Sequence, residues 1–219
     1  TDALKDITGN VFDASQAILH ENERKMLFVK NTQVRDDKTK VYCMDLERQK
    51  VIQEWDTKDV PIFDIMSSRK DNQRTGEQCF LGTNNRTLMT LDPRMQNSQT
   101  GQMAESLTYA TNIGINVGAT DKRGHIALGG TLGDLRLYDG TTNAEGKFKR
   151  AKTAIQGLGA NLSHIDVTAD GKWVLGTCSK YLVLVPVSMD NGQTGFTKAM
   201  GKLKPRPIQL QLHSSDIIK

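Results

Sequence analysis

The sequence is poor in residues that would announce a specialised chemistry or compartment. Its three cysteines, Cys43, Cys79 and Cys178, are odd in number and far apart, which excludes a disulfide framework or a Cys-x-x-Cys zinc pair and favours a reducing compartment. Aromatic residues make up 5% and the net charge is only +4. Neither the stacking platform nor the strong basic field of a nucleic-acid binder is therefore present, and nucleic acid is not expected as a partner. No apolar run approaches the ~18 residues of a membrane-spanning helix. The first residues, TDALKDITGN, carry acidic side chains and no apolar stretch, so they do not read as a signal peptide, and a start at Thr1 points to a processed or partial chain. Sustained helical periodicity is missing too. What remains, with 25% charged and 37% hydrophobic residues over 219 positions, is a soluble globular chain long enough to bury a core.

What is present is a repeat. Asp45, Asp92 and Asp139 each close an apolar stretch and stand 47 residues apart, and so do Gly82, Gly129 and Gly176. In the third unit GHIALGG, TLGD and LRLYD read as strand, tight turn and returning strand, a hairpin. QCFLGTNNRTLMTLD and KWVLGTCSKYLVLVPV align on it without a gap. The first unit keeps both strands of KMLFVKNTQVRDDKTKVYCMD but carries a charged insertion between them. A further strand precedes each hairpin, at QAILH (16–20), IFDIM (62–66), IGINVGA (113–119) and LSHIDVTADGKW (162–173), and KVIQEW supplies a fourth in the first unit. About four short strands per ~45 residues is the period of a WD40-type blade. The expectation is an all-β, WD40-like β-propeller with blades at 11–56, 57–108, 109–157 and 158–204 and the start of a further blade at 205–219, where RPIQLQLHSSDI begins. Four blades and one opening strand make an incomplete ring with an uncovered edge, so residues beyond Lys219 or another chain are expected to complete it.

The segments KVYCMDLERQKVIQEW, EQCFLGTNNRTLMTLDPRM, RGHIALGGTLGDLRLYD, IDVTADGKWVLGTCSKYLVLV and KPRPIQLQL together resemble the C-terminal WD40-like domain of the vacuolar import and degradation family, number twenty-seven of that series. The likeness runs from about Ala17 to Leu212. It implies a cytoplasmic β-propeller without assigned catalytic residues, linked to delivery of cytosolic enzymes for vacuolar degradation. The NTQVRDDKTK insertion departs from the family pattern.

Candidate chemistry is sparse. Asp45, Asp92 and Asp139 are expected to end strands and accept turn amides, and Pro186 occupies the fourth equivalent position. His20, His125, His164 and His213 lack metal-ligand spacing, and His164, on the same strand face as Asp166, is expected to be hydrogen-bonded. Cys178 has no histidine near it in sequence, and no G-x-S-x-G elbow occurs. The glycine-rich GLGAN, 157–161, is read as a flexible inter-blade loop. No cofactor, metal or catalytic set is expected, which ranks a propeller hydrolase last.

A propeller presents loops on two faces, which suits the binding of other proteins. The loops between the second and third strands should share one face with the inter-blade connections, presenting Arg35, Asp36, Asn85, Arg86, Asp134, Asn161 and Lys180 as a protein-binding surface. The expected function is a cytoplasmic, non-enzymatic interaction scaffold in trafficking to, or degradation in, the vacuole. The alternative is an adaptor for an anionic membrane surface, using Lys147, Lys149, Arg150, Lys152, Lys202, Lys204 and Arg206 in the runs KFKRAK and KAMGKLKPRP. The Phe-Arg-Arg-Gly motif of phosphoinositide-binding propellers is absent.

Overall fold

The two middle hairpin strands of the repeat are buried on both faces, whereas their counterparts near the C-terminus alternate between buried and half-exposed. Phe80–Thr83 and Ile126–Gly130 are buried at every position, and Trp173–Thr177 at every second one. A strand reads this way when its sheet lies between two others, and it alternates when one face stays open. The computed structural model, which describes residues 3–95, 99, 101–202 and 205–211, shows this arrangement.

Four antiparallel, four-stranded sheets follow one another along the chain. The first holds β1 (Ala14–His20), β2 (Lys25–Lys30), β3 (Lys40–Asp45) and β4 (Lys50–Asp56). The second holds β5 (Asp64–Ser67), β6 (Phe80–Thr83), β7 (Thr87–Leu91) and β8 (Met103–Thr108). The third holds β9 (Ile115–Thr120), β10 (Ile126–Gly130), β11 (Leu135–Tyr138) and β12 (Thr153–Ile155). The fourth holds β13 (His164–Val167), β14 (Trp173–Thr177), β15 (Tyr181–Pro186) and β16 (Ile208–Gln211). Helix among the described residues is limited to one turn, α1 (Arg35–Lys38), within the charged insertion, and a 3-10 turn at Asn72–Arg74. The sheets do not close on themselves, and the architecture is an incomplete WD40-like propeller.

One expectation is corrected here. The segment from Arg206 was read as the opening strand of a further blade, but Ile208–Gln211 pairs antiparallel with β15, Leu184 opposite Ile208 and Tyr181 opposite Gln211. It is therefore the outer strand of the fourth sheet. The alternation in PIQLQL marks a strand, but its partner is chosen by pairing across a long connection that no local pattern encodes. The rest of that segment, 212–219, lies outside the described residues.

Each pair of successive sheets encloses its own core. Leu27, Val41 and Trp55 meet Ile65, Phe80 and Met89 between the first and second. Leu81 and Leu88 meet Ile115, Ile126 and Leu128 between the second and third, and Leu135, Leu137 and Ile155 meet Val174, Val183 and Val185 between the third and fourth. The other face of the first sheet is covered by the N-terminal segment, whose Phe12 packs on Phe28 and Tyr42. The other face of the fourth sheet leaves Trp173, Leu175, Leu182 and Leu184 half-exposed.

Candidate protein-binding face

In the first three sheets the loop between the second and third strands is stitched by backbone hydrogen bonds to a neighbouring inter-sheet connection, and in the fourth a strand side chain makes the link. In the first sheet the amide of Ile62 donates to Lys38 O at 2.7 Å and that of Thr57 to Thr39 O at 3.0 Å; in the second, Tyr109 donates to Arg86 O at 2.9 Å and Ile115 to Asn85 O at 3.1 Å. In the third, Thr131 donates to Gly114 O at 2.8 Å and Leu158 to Gly133 O at 3.1 Å. At the fourth, the Tyr181 hydroxyl donates to Leu158 O and accepts from the Ala160 amide, both at 3.0 Å. The GLGAN connection is thus pinned at its centre rather than left as a free loop. These bonds place the two kinds of loop on one face, built from backbone that is already satisfied.

The residues proposed from the sequence are not equivalent on this face. Asn85, Arg86, Asn161 and Lys180 are exposed, and Asn161 Oδ1 accepts a 3.3 Å hydrogen bond from Asn116 Nδ2. Arg35 and Asp36 lie in α1, the loop of the first sheet. Asp134 is different: its side chain is only 14% exposed and its Oδ2 lies 3.2 Å from Nε of Arg136. Its Oδ1 is turned under Gly130, where a Cβ would come within 1.9 Å of it.

Three residues on this face were missed. Leu132 is 82% exposed at the tip of the tight turn that Gly133, at φ +69°, makes possible. Arg136 lies over the Tyr109 ring, 5.6 Å from its centroid, and the Tyr109 and Tyr138 hydroxyls are 3.0 Å apart. The turn TLGD and the strand LRLYD were legible, but a turn pattern does not show which side chain stands in water, nor a strand pattern which ring reaches an arginine from another sheet. Asn112, Ile113, Gly114, Thr131, Leu132, Asp134, Arg136, Gln156 and Gly157 enclose a cavity of ≈530 Å³.

The opposite face gathers the two basic runs. The Thr153 hydroxyl donates to Lys198 O at 3.4 Å and accepts from the Met200 amide at 3.3 Å, so the loop after β15 is laid beside the loop before β12. Lys147 pairs with Glu145 at 3.0 Å and Lys152 with Asp139 at 3.3 Å, whereas Lys149, Arg150, Lys202 and Arg206 are exposed. Lys204 lies outside the described residues.

The same loop is locked by a buried pair that the sequence reading left unassigned. Asp121, 0% exposed, accepts the amides of Arg123 and His125 at 2.8 and 2.9 Å, and its Oδ2 lies 2.8 Å from His125 Nδ1. Burial pushes the Asp121 carboxyl up, but the hydrogen bonds from the His125 ring and amide and from Arg123 outweigh it and hold the group below its ordinary range. His125 in turn stacks on Phe196, rings 5.3 Å apart and 9° from parallel. The spacing of four between Asp121 and His125 is visible in the sequence, but it does not show that the pair is buried.

Among the described residues the other titratable groups singled out from the sequence, Asp45, Asp92, Asp139 and His164, lie apart, each in or beside a different sheet. The His164 ring is exposed and makes no hydrogen bond among the described residues; its expected neighbour Asp166 instead accepts Lys70 Nζ from the second sheet at 2.6 Å. His213 lies outside the described residues. Asp45, Asp92 and Asp139 accept the amides of Arg48, Arg94 and Thr141 at 2.9, 3.0 and 3.0 Å, as strand-ending aspartates do. Burial pushes the thiols of Cys43 and Cys79 up to about 11, the reverse of what a nucleophile needs. Among the described residues no three His, Cys, Asp or Glu side chains converge to hold a metal ion. No helix among them is long and apolar enough to cross a membrane.

Residues 1–219 match the family described as VID27 C-terminal WD40-like domain. The chain is similar to vacuolar import and degradation protein 27 of Saccharomyces cerevisiae, 32% identical over 204 residues that cover 90% of this chain and 25% of that protein. It is equally similar, 32% over 216 residues, to the protein of the same name in Schizosaccharomyces pombe, with 95% of this chain and 26% of that one covered. The chain spans about a quarter of the length of these relatives.

Proposed function

The chain belongs to the VID27 family, matching its C-terminal WD40-like domain throughout, and from that premise we propose that it is a non-enzymatic protein-interaction scaffold, acting in the cytoplasm in the import of proteins into the vacuole or their degradation there. One observation carries the reading. The loops after the second strand in the first three sheets, and Tyr181 at the fourth, are bonded to the inter-sheet connections, which makes a rigid, pre-formed face on which Asn85, Arg86, Leu132, Asn161 and Lys180 stand exposed. A face whose backbone is already satisfied loses little conformational entropy on binding, so its exposed side chains are free to select a partner. The same reading has the half-exposed face of the fourth sheet covered by a further blade, from the same protein or from another chain. The test is affinity purification of the full-length protein from cells beside an Arg86→Glu, Lys180→Glu variant of unchanged thermal midpoint. Partners lost with the double reversal support the face; a partner set identical to that of the wild type removes it.

A second reading is favoured by the meeting of the two basic runs at Thr153. Lys149, Arg150, Lys202 and Arg206 then form one exposed cationic strip on the opposite face, each worth ~1 kcal/mol near an anionic bilayer. Flotation with phosphatidylserine vesicles decides it. Binding that falls with salt and is lost on Lys149→Glu, Arg150→Glu supports the adaptor; no flotation at low salt ends it.

A further inference from the structure

We propose that the cavity in the loop face of the third sheet is a recognition pocket for an acidic side chain, flanked by an apolar one, in an extended segment of a partner protein. This rests on the reading of that face as the interaction surface and names the chemistry of what it takes.

The polar half of the pocket is Arg136. Its side chain is only 23% exposed, and its Nε edge faces Asp134 Oδ2 at 3.2 Å. Among the described residues neither Nη group of Arg136 makes a hydrogen bond. The guanidinium is nevertheless fixed, because it lies over the Tyr109 ring and Tyr109 is itself tied by its amide to Arg86 O and by its hydroxyl to Tyr138. A planar fork held in place, partly removed from water and with its outer donors unused, matches a carboxylate better than it matches water. Asp134 offsets the formal charge of Arg136 but does not fill the pocket, since its free oxygen is turned beneath Gly130. Arg86, exposed and joined through its carbonyl to the Tyr109 amide, adds positive charge to the same face. An acidic rather than a basic partner segment follows.

The apolar half is Leu132 with Ile113. Leu132 stands 82% exposed on a turn that cannot fold away, because the Thr131 amide is bonded to Gly114 O and the Gly133 amide to Gly130 O. Ile113 is half-buried beside it, packed against the core between the second and third sheets. The volume of ≈530 Å³ takes two side chains and their backbone, within the ~300–1,000 Å³ of ordinary ligand sites, and is too small for a folded element. A single arginine fork also suits a carboxylate better than a phosphoryl group, which is taken by clusters of arginines.

The experiment is selection of a displayed random heptapeptide library on the immobilised full-length protein, followed by titration of the consensus as a free peptide. The expected consensus carries Asp or Glu within two positions of Leu, Ile, Met or Phe. Changing that acid to its amide, or Arg136→Gln in the protein, should weaken binding ~10-fold or more, the scale of a charge-assisted hydrogen bond. Leu132→Ser should weaken it ~5-fold; that side chain is in water, so its loss cannot be traced to misfolding. No enrichment of acidic residues, or a consensus bound within twofold by both variants, overturns the pocket. Binding insensitive to Arg136→Gln and Leu132→Ser but lost with Arg86→Glu, Lys180→Glu overturns the pocket while leaving the face; binding indifferent to all four substitutions overturns both.

Discussion

Leu162 lies so close to Gly176 that a Cβ there would be 2.8 Å from its Cδ2, and the same leucine would meet a Cβ at Gly129 3.0 Å from its Cδ1. One fully buried side chain from an inter-sheet connection thus wedges between two glycines that the repeat places 47 residues apart. Gly176→Ala has nowhere to put its methyl, since Val183 Cγ1 is also within 2.9 Å, and overpacking of this kind costs ~1–3 kcal/mol. The expected result is a lower urea midpoint at unchanged slope. Leu162→Ala in the same molecule should relieve part of that cost, and strictly additive losses in the double variant would show that the two residues do not compete for space.

The N-terminal segment is held by a buried ion pair. Lys30 Nζ donates to Asp6 Oδ2 at 3.0 Å, with both side chains more than nine-tenths buried, and it lies over the rings of Phe12 and Tyr42 at 5.0 and 4.5 Å. Lys30→Met leaves the Asp6 carboxylate with its hydrogen bonds from Thr8 and Asn10 but without its counter-charge, and should cost on the order of 3 kcal/mol. The Phe12 amide, bonded to Leu4 O, should then exchange with solvent faster, and unchanged protection there would refute the role. Burial pushes the Asp6 carboxyl up, but the hydrogen bonds from Thr8, Lys30 and Asn10 together hold it well below its ordinary value. A depressed carboxyl stabilises the fold above its unfolded pKa, so this contribution is complete near neutrality and is lost only in strong acid.

Asp64 behaves in the opposite sense. Burial raises its carboxyl to about 7, despite hydrogen bonds from Gly118, Ile65 and Gln16, the first of them 2.8 Å long. Between the ordinary carboxylate range and neutrality the folded chain binds more protons here than the unfolded one, so this group lowers stability as pH rises through that window. Three pKa units correspond to ~4 kcal/mol at most. Asp64→Asn keeps an acceptor for Gly118 and should be stabilising at pH 8 but nearly neutral at pH 4. Parallel stability curves for the two proteins would exclude the effect.

Thiol labelling should resolve the three cysteines. Cys79 is half-buried and Cys43 and Cys178 are buried, so a disulfide reagent at pH 8 should modify one thiol in the native protein. That reaction should be slow, because burial raises the Cys79 thiol to about 11. The other two should react only on unfolding; rapid labelling of more than one would contradict this packing.

Strand order within a hairpin, the recurring glycine and the strand-ending aspartates were readable because each rests on residues close in sequence. β8 and β12 were faint for an equally local reason: MAESLT and TAI are short and carry little apolar alternation, so their place is made by the strand beside them. The candidate face was half legible. Loop positions such as Arg86 and Lys180 followed from the hairpins, whereas the Arg136–Tyr109 contact and the burial of Asp134 did not.

By itself the sequence determined an all-β chain of repeated antiparallel units and the family to which it belongs, since period-two burial, turn residues and a constant spacing are properties of the chain in one dimension. Only the tertiary structure decided that β16 closes the fourth sheet, that Lys70 meets Asp166, that Thr153 bonds to Lys198 and Met200, and that Leu132 and Arg136 border one cavity. Each of these joins residues whose proximity comes from packing sheet against sheet or from pairing across a long loop, and the free energy that selects such contacts belongs to the assembled core rather than to any local segment.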